Sequence, residues 1–143
     1  MESIIKSIYF TFFDSNDNQL VNLLGDAKQS LIFNQGITDI FFMMIVISSI
    51  AYALFYFVID RAGWNTKKHL WWVLIAVVVV NFIFPIFLIP QMVNPEILIK
   101  VKDSDYLSIM IANSIISFLY FGILTSIPIL RKPSINCRHT MLF

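Results

Sequence analysis

Residues 70–90 read LWWVLIAVVVVNFIFPIFLIP, a run from Leu70 to Pro90 with no charged side chain and a single amide, Asn81, near its centre. A bilayer hydrocarbon core about 30 Å thick takes roughly 20 helical residues, so this run is long enough to cross one. The alternative is a buried helix of a soluble core, but three such stretches leave too little polar chain to wrap one. The borders of the run agree with a membrane span. Lys67, Lys68 and His69 precede it, and Pro90 closes it.

Two more stretches share the pattern. One runs from about Ile37 to Ile59 with Asp39 near its start and Asp60-Arg61 after it; the other runs from Tyr106 to Leu130, between Asp103 and Asp105 on one side and Arg131-Lys132 on the other. Composition fits three such spans. Of 143 residues, 58% are hydrophobic and 13% charged, about half the charge a water-facing surface of this size requires. The fold class read from the sequence is therefore an all-α integral membrane protein. Three transmembrane helices, near 37–59, 70–90 and 106–130, follow an N-terminal amphipathic region (1–36) and precede a short basic tail (131–143). A helix crossing hydrocarbon satisfies its own backbone polar groups, which is why the helix is the expected form of each span.

The region before the first span carries two shorter helical patterns. Ile5, Ile8, Tyr9 and Phe12 share one face of Glu2–Phe13; Leu20, Leu24, Ala27 and Leu31 share one face of Asp17–Phe33, with Asp17 placed to cap its start. Neither spans. They are expected at the membrane interface or packed on the remainder of the chain or on another copy, with Gly36 separating them from the first span. The first 13 residues have no small-residue cleavage pattern after their apolar run, so they are expected to be retained.

Sidedness follows from the basic residues. The first loop holds Arg61, Lys67 and Lys68, and the tail holds Arg131, Lys132 and Arg138. The opposite side carries Lys6, Lys28, Lys100 and Lys102 against a larger number of acids. Because cytoplasmic loops are enriched in Lys and Arg, the N-terminus is expected outside and the C-terminus in the cytoplasm. Trp64, Trp71 and Trp72 gather at that inner boundary, and with Arg131 and Lys132 they form the expected interface anchors.

Polar residues inside the spans are the candidate functional positions. Ser48 and Ser49 in the first span, Asn81 in the second, and Asn113, Ser114 and Ser117 in the third fall at similar depth when each span is measured at 1.5 Å per residue. They form one polar layer, and an amide left unpaired in hydrocarbon costs several kcal/mol, so the layer should face protein or water. Hydrogen-bonded packing between helices is the expected role, because no ionisable residue joins the layer as a transport pathway normally requires. Lining of a pore formed by several copies is the alternative. Pro85, four residues after Asn81, is expected to kink the second span, Pro90 to end it, and Pro128 to lie in the last turn of the third.

Chemistry-bearing motifs are sparse. Asp14, Asn16 and Asn18 match the first spacings of a calcium loop, but its sixth and twelfth positions are Gln19 and Gly25 where glycine and glutamate belong. His69, His139 and Cys137 have no metal-ligand spacing. No nucleophile elbow, zinc-protease helix or phosphate loop occurs, and the serines in the spans lack a neighbouring base. The expectation is a non-enzyme without cofactor or metal. A net charge of +1 with scattered basic residues argues against nucleic acid as a partner. With one cysteine, Cys137, no internal disulfide forms; acylation there and a thiol-linked dimer stay open, although the chain does not end in a CaaX box. The expected partners are the lipid bilayer, further copies of the chain and other membrane proteins. No small-molecule substrate is indicated. The function read from the sequence is a non-catalytic membrane subunit that self-assembles or joins a larger complex, with a homo-oligomeric pore or membrane-perturbing effector as the alternative.

Overall fold

A computed structural model describes residues 27–59, 67–92 and 103–132, with Ser134, Cys137, Thr140 and Leu142. The described chain is all-helical. Helix α1 covers Ala27–Ala53 and continues as a π-helical turn over Leu54–Val58; α2 covers Lys67–Met92, α3 Asp103–Ser126 and the short α4 Pro128–Arg131. The segment Glu2–Phe13, the start of Asp17–Phe33, the calcium-like positions Asp14, Asn16 and Asn18, His139 and Trp64 lie outside the described residues.

Three described helices are long and apolar enough to cross a membrane, over Gly36–Val58, Lys67–Gln91 and Leu107–Ser126. Their positions match the three expected spans, although α2 runs on through Pro90, expected to end it, to Met92, and two further features differ. First, Gly36 does not separate two helices: α1 runs through it from Ala27, with Gly36 buried against the bundle. A lone glycine costs a helix only about 1 kcal/mol relative to alanine, which packing on one side offsets. Second, the third helix stops at Ser126 instead of reaching Leu130. Ile127 is extended (φ −80°, ψ 109°) and Pro128 becomes the first residue of α4. The proline ring disfavours helical backbone in the residue before it and suits the first position of a new helix, where its missing N–H costs nothing.

The three long helices pack as an antiparallel bundle in which each touches the other two, α2 and α3 most extensively. The end of α1 (Tyr52, Phe55, Tyr56), the start of α2 (Leu70, Leu74, Val77) and the end of α3 (Phe121) meet in one cluster. That arrangement makes the chain direction alternate from helix to helix. Inward faces follow helical spacing: Ile37, Ile40, Met44, Ser48 and Tyr52 on α1; Leu70, Leu74, Val77, Asn81, Pro85 and Ile89 on α2; Ile109, Asn113, Ser117, Phe121 and Thr125 on α3.

The outward faces are apolar as well. Phe42, Val46, Ile50 and Phe57 on α1, Ile75, Val79, Ile83 and Phe87 on α2, and Ile111, Ile115, Leu119 and Ile123 on α3 are all exposed. Helices that are apolar all round belong in a large core or in lipid. Only 28–39% of each candidate span is buried within the chain, so its own core is too small to account for them.

Candidate functional site

The centre of the bundle is built around the backbone carbonyl of Asn81. In a regular helix that oxygen accepts from the N–H four residues later, and here that residue is Pro85, which has none. Asn113 of α3 supplies the missing donor: its Nδ2 reaches Asn81 O at 2.6 Å. A neighbouring helix thereby satisfies the group that the proline releases, and α2 continues without interruption through Pro85 and Pro90. The Asn81 side chain turns back on its own helix, Nδ2 donating to Val77 O at 2.9 Å.

Of the six residues expected in the polar layer, Ser48, Asn81, Asn113 and Ser117 lie inside the bundle, and Ser49 and Ser114 are half-buried. Ser48, Asn81, Asn113 and Ser117 are each 0% exposed. The bonds that cross between helices include Asn113 to Asn81, and Ser49 Oγ with Tyr120 OH at 3.1 Å, joining α1 to α3. Ser114 and Ser117 instead donate within α3, to Met110 O and Ser114 O. A serine hydroxyl is short and lies close to the carbonyls of the preceding turn, so local back-bonding competes with reaching a neighbour. Thr125 and Ser126 do the same, both donating to Gly122 O.

Among the described residues, three buried oxygens have no hydrogen-bond partner: Ser48 Oγ, Tyr52 OH and Asn81 Oδ1. Tyr52 was legible as an extension of the layer, since it lies one helical turn after Ser48. Tyr56, one turn further, makes the contact least visible in the sequence. Its hydroxyl donates to the backbone carbonyl of Thr140 at 2.6 Å, binding the C-terminal tail to the end of α1. The Tyr52 and Tyr56 rings stack with centroids 4.6 Å apart, and Phe55 meets Tyr56 edge-on at 5.0 Å.

Around that bond the tail returns to the bundle. Ser134, Cys137 and Leu142 are buried, the last two within the cluster of Tyr52, Tyr56, Leu74 and Phe121. Ser134 Oγ accepts from the Cys137 N–H, and Thr140 N–H donates to Cys137 O. The Cys137 thiol is buried in that cluster.

The expected interface anchors divide. Trp71 and Trp72 at the start of α2 are exposed, as is Lys132. Arg131 is not: it is 6% exposed and lies close enough to act electrostatically on the Tyr52 and Tyr56 phenols. Pro128 is the reason, because the break at Ile127 starts a new helix in which Arg131 sits at the inward last position. No known protein family matches the chain, and neither the curated proteins nor the solved structures contain a match to it.

Proposed function

We propose that the chain is a multi-pass membrane protein, a non-catalytic subunit that assembles with itself or with a larger membrane complex, N-terminus outside and C-terminus cytoplasmic. The observation that carries this reading is the inversion of polarity across the bundle. Ser48, Asn81, Asn113 and Ser117 are enclosed, while the exposed positions from Phe42 to Val58, Trp71 to Pro90 and Leu107 to Ile123 are all apolar, the exposed Asp39, Lys67, Lys68 and Gln91 lying beyond them. Left in water, each such side chain would forgo about 1.5–3 kcal/mol of transfer free energy, whereas lipid or another apolar helix removes that cost.

The same inversion favours a subunit over a pore. A channel between copies needs polar groups on an outward face, and here Asn81, Asn113 and Ser117 are used inside one chain. A bundle of three helices leaves most of each helix for neighbours. Association in lipid then proceeds by close packing of Phe- and Ile-rich faces such as Phe42/Val46/Ile50, without polar contacts.

Purified protein in nanodiscs is expected to run larger than a monomer or to co-purify with another membrane protein, and liposomes carrying it alone should show no ion flux. A monomer without companions would overturn the subunit reading, and flux abolished by Asn113→Leu would replace it with the pore. Orientation has a separate check. In intact cells, an impermeant thiol reagent should label a cysteine placed in the loop 93–102 and leave one placed in 60–66 unmodified; the reverse pattern inverts the topology.

A further inference from the structure

The buried polar groups of the bundle are distributed unevenly along it. On one side of the Asn81–Asn113 layer the buried residues, among those described, are Gly36, Ile37, Ile40, Met44, Pro85, Ile89, Ile109 and Met110, none with a hydrogen-bonding side chain. From the layer toward the docked tail come Ser48, Ser117, Tyr52, Tyr56, Thr125, Arg131 and Ser134. Among the described residues the buried polar side chains thus begin at this layer and continue toward the tail, interleaved with the apolar Phe55, Leu70, Leu74, Phe121 and Leu142.

The three unpartnered oxygens lie in that half. Tyr52 and Val77 share one cluster, so a step of one turn away from the tail along each antiparallel helix brings Ser48 and Asn81 to the same level. Asn81 is oriented with its NH2 on Val77 O, which leaves Oδ1 requiring a donor. Ser48 Oγ can donate and accept, and so can Tyr52 OH. A molecule that serves all three must both donate and accept hydrogen bonds, be neutral and be small.

We propose that Ser48 Oγ, Tyr52 OH and Asn81 Oδ1 form an internal binding site for water, admitted from the tail end and stopped at the Asn81–Asn113 layer. Buried water characteristically makes two to four bonds to polar groups that lack protein partners, and this set offers three. Admission is assigned to the tail end because the tail that closes it is a short segment held by the Tyr56–Thr140 bond and by Leu142. The site is a dead end, so it adds hydration to the subunit without making it a pore. It rests on the membrane placement proposed above, because only there is water at this depth distinguishable from ordinary solvent.

The test is nuclear magnetic resonance of the full chain in nanodiscs, with asparagine side chains 15N-labelled. The Asn81 amide, assigned by its disappearance in Asn81→Ala, should show an exchange-free cross-peak to water. Ser48→Ala should abolish that cross-peak, and Leu142→Ala, which loosens the tail, should speed deuterium exchange of the Asn81 amide at least ten-fold. No water cross-peak in the unaltered protein overturns the site. A cross-peak that persists in Ser48→Ala overturns the assignment to Ser48, and exchange unaffected by Leu142→Ala overturns admission from the tail. Methyl groups of Val46 and Ile50 report on the underlying reading: contacts to lipid uphold it, and contacts to water there would sink the membrane placement itself.

Discussion

Replacing Asn113 with alanine is expected to destabilise the bundle by about 1–3 kcal/mol, the usual cost of stranding a buried polar group. The carbonyl of Asn81 would lose the donor at 2.6 Å, and Pro85 offers none in its place. Many hydrogen bonds between membrane helices average only about 0.6 kcal/mol, because the separated helix finds other partners. This one is expected above that average, since the separated α2 carries the same carbonyl without an intrahelical donor. A double-mutant cycle isolates the effect. Pro85→Ala restores an N–H four residues after Asn81, so Asn113→Ala should cost about 1 kcal/mol less in that background. Other contacts of the Asn113 side chain are lost equally in both backgrounds and cancel. Stability would be read from denaturant titration in detergent micelles. Equal costs in the two backgrounds would show that the proline and the amide are not coupled.

That coupling also illustrates which parts of the architecture the sequence discloses. The three long helices follow from hydropathy and length alone, because lipid-crossing helices satisfy their backbone internally and need no knowledge of their neighbours. Asn81 and Pro85 stand four residues apart, so the carbonyl that will need outside help can be identified from the sequence. Its partner cannot. Asn113 and Ser117 lie on one face of α3 and both look suited to bridge, yet the longer amide reaches α2 and the serine bonds its own helix. The difference is one of reach, and it is resolved only when the helices are at packing distance.

The two ends of the third helix contrast in the same way. Its start among Asp103 and Asp105 is marked by charge, and the helix begins at Asp103. Its end is set by Pro128, whose effect on Ile127 outweighs the apolar run that continues to Leu130. Arg131, read as a basic anchor because it follows that run, is carried inward by the resulting short helix. The tail beyond it has no periodicity, so its return to the bundle leaves no pattern to read. Only Ser134 and Cys137, spaced like a helix cap and its third residue, hint at a local turn.

Undocking of the tail is the change with the largest expected kinetic signature. Cys137 is 0% exposed, and a thiol at this depth reacts with an aqueous maleimide only when the tail opens. The rate then follows the opening equilibrium, in which each 1.4 kcal/mol corresponds to about ten-fold. Tyr56→Phe removes the hydroxyl that donates to Thr140 O at 2.6 Å while keeping the ring packed on Tyr52 and Phe55. A net loss of about 1 kcal/mol should raise the labelling rate roughly five-fold. Leu142→Ala removes a side chain that is 2% exposed in the same cluster, where truncation of leucine costs about 2–5 kcal/mol. Labelling should then rise by more than about ten-fold, up to the limit at which the tail is open most of the time. Neither change touches the Asn81–Asn113 layer, so helical content and the denaturant midpoint of the bundle should move little by comparison. Fast labelling of the unaltered protein, or rates indifferent to both substitutions, would mean that the tail is not held by these contacts. A rise in rate accompanied by collapse of the helical signal would instead make the tail an integral part of the core, which its burial beside Leu74 and Phe121 allows only if the three-helix packing depends on it.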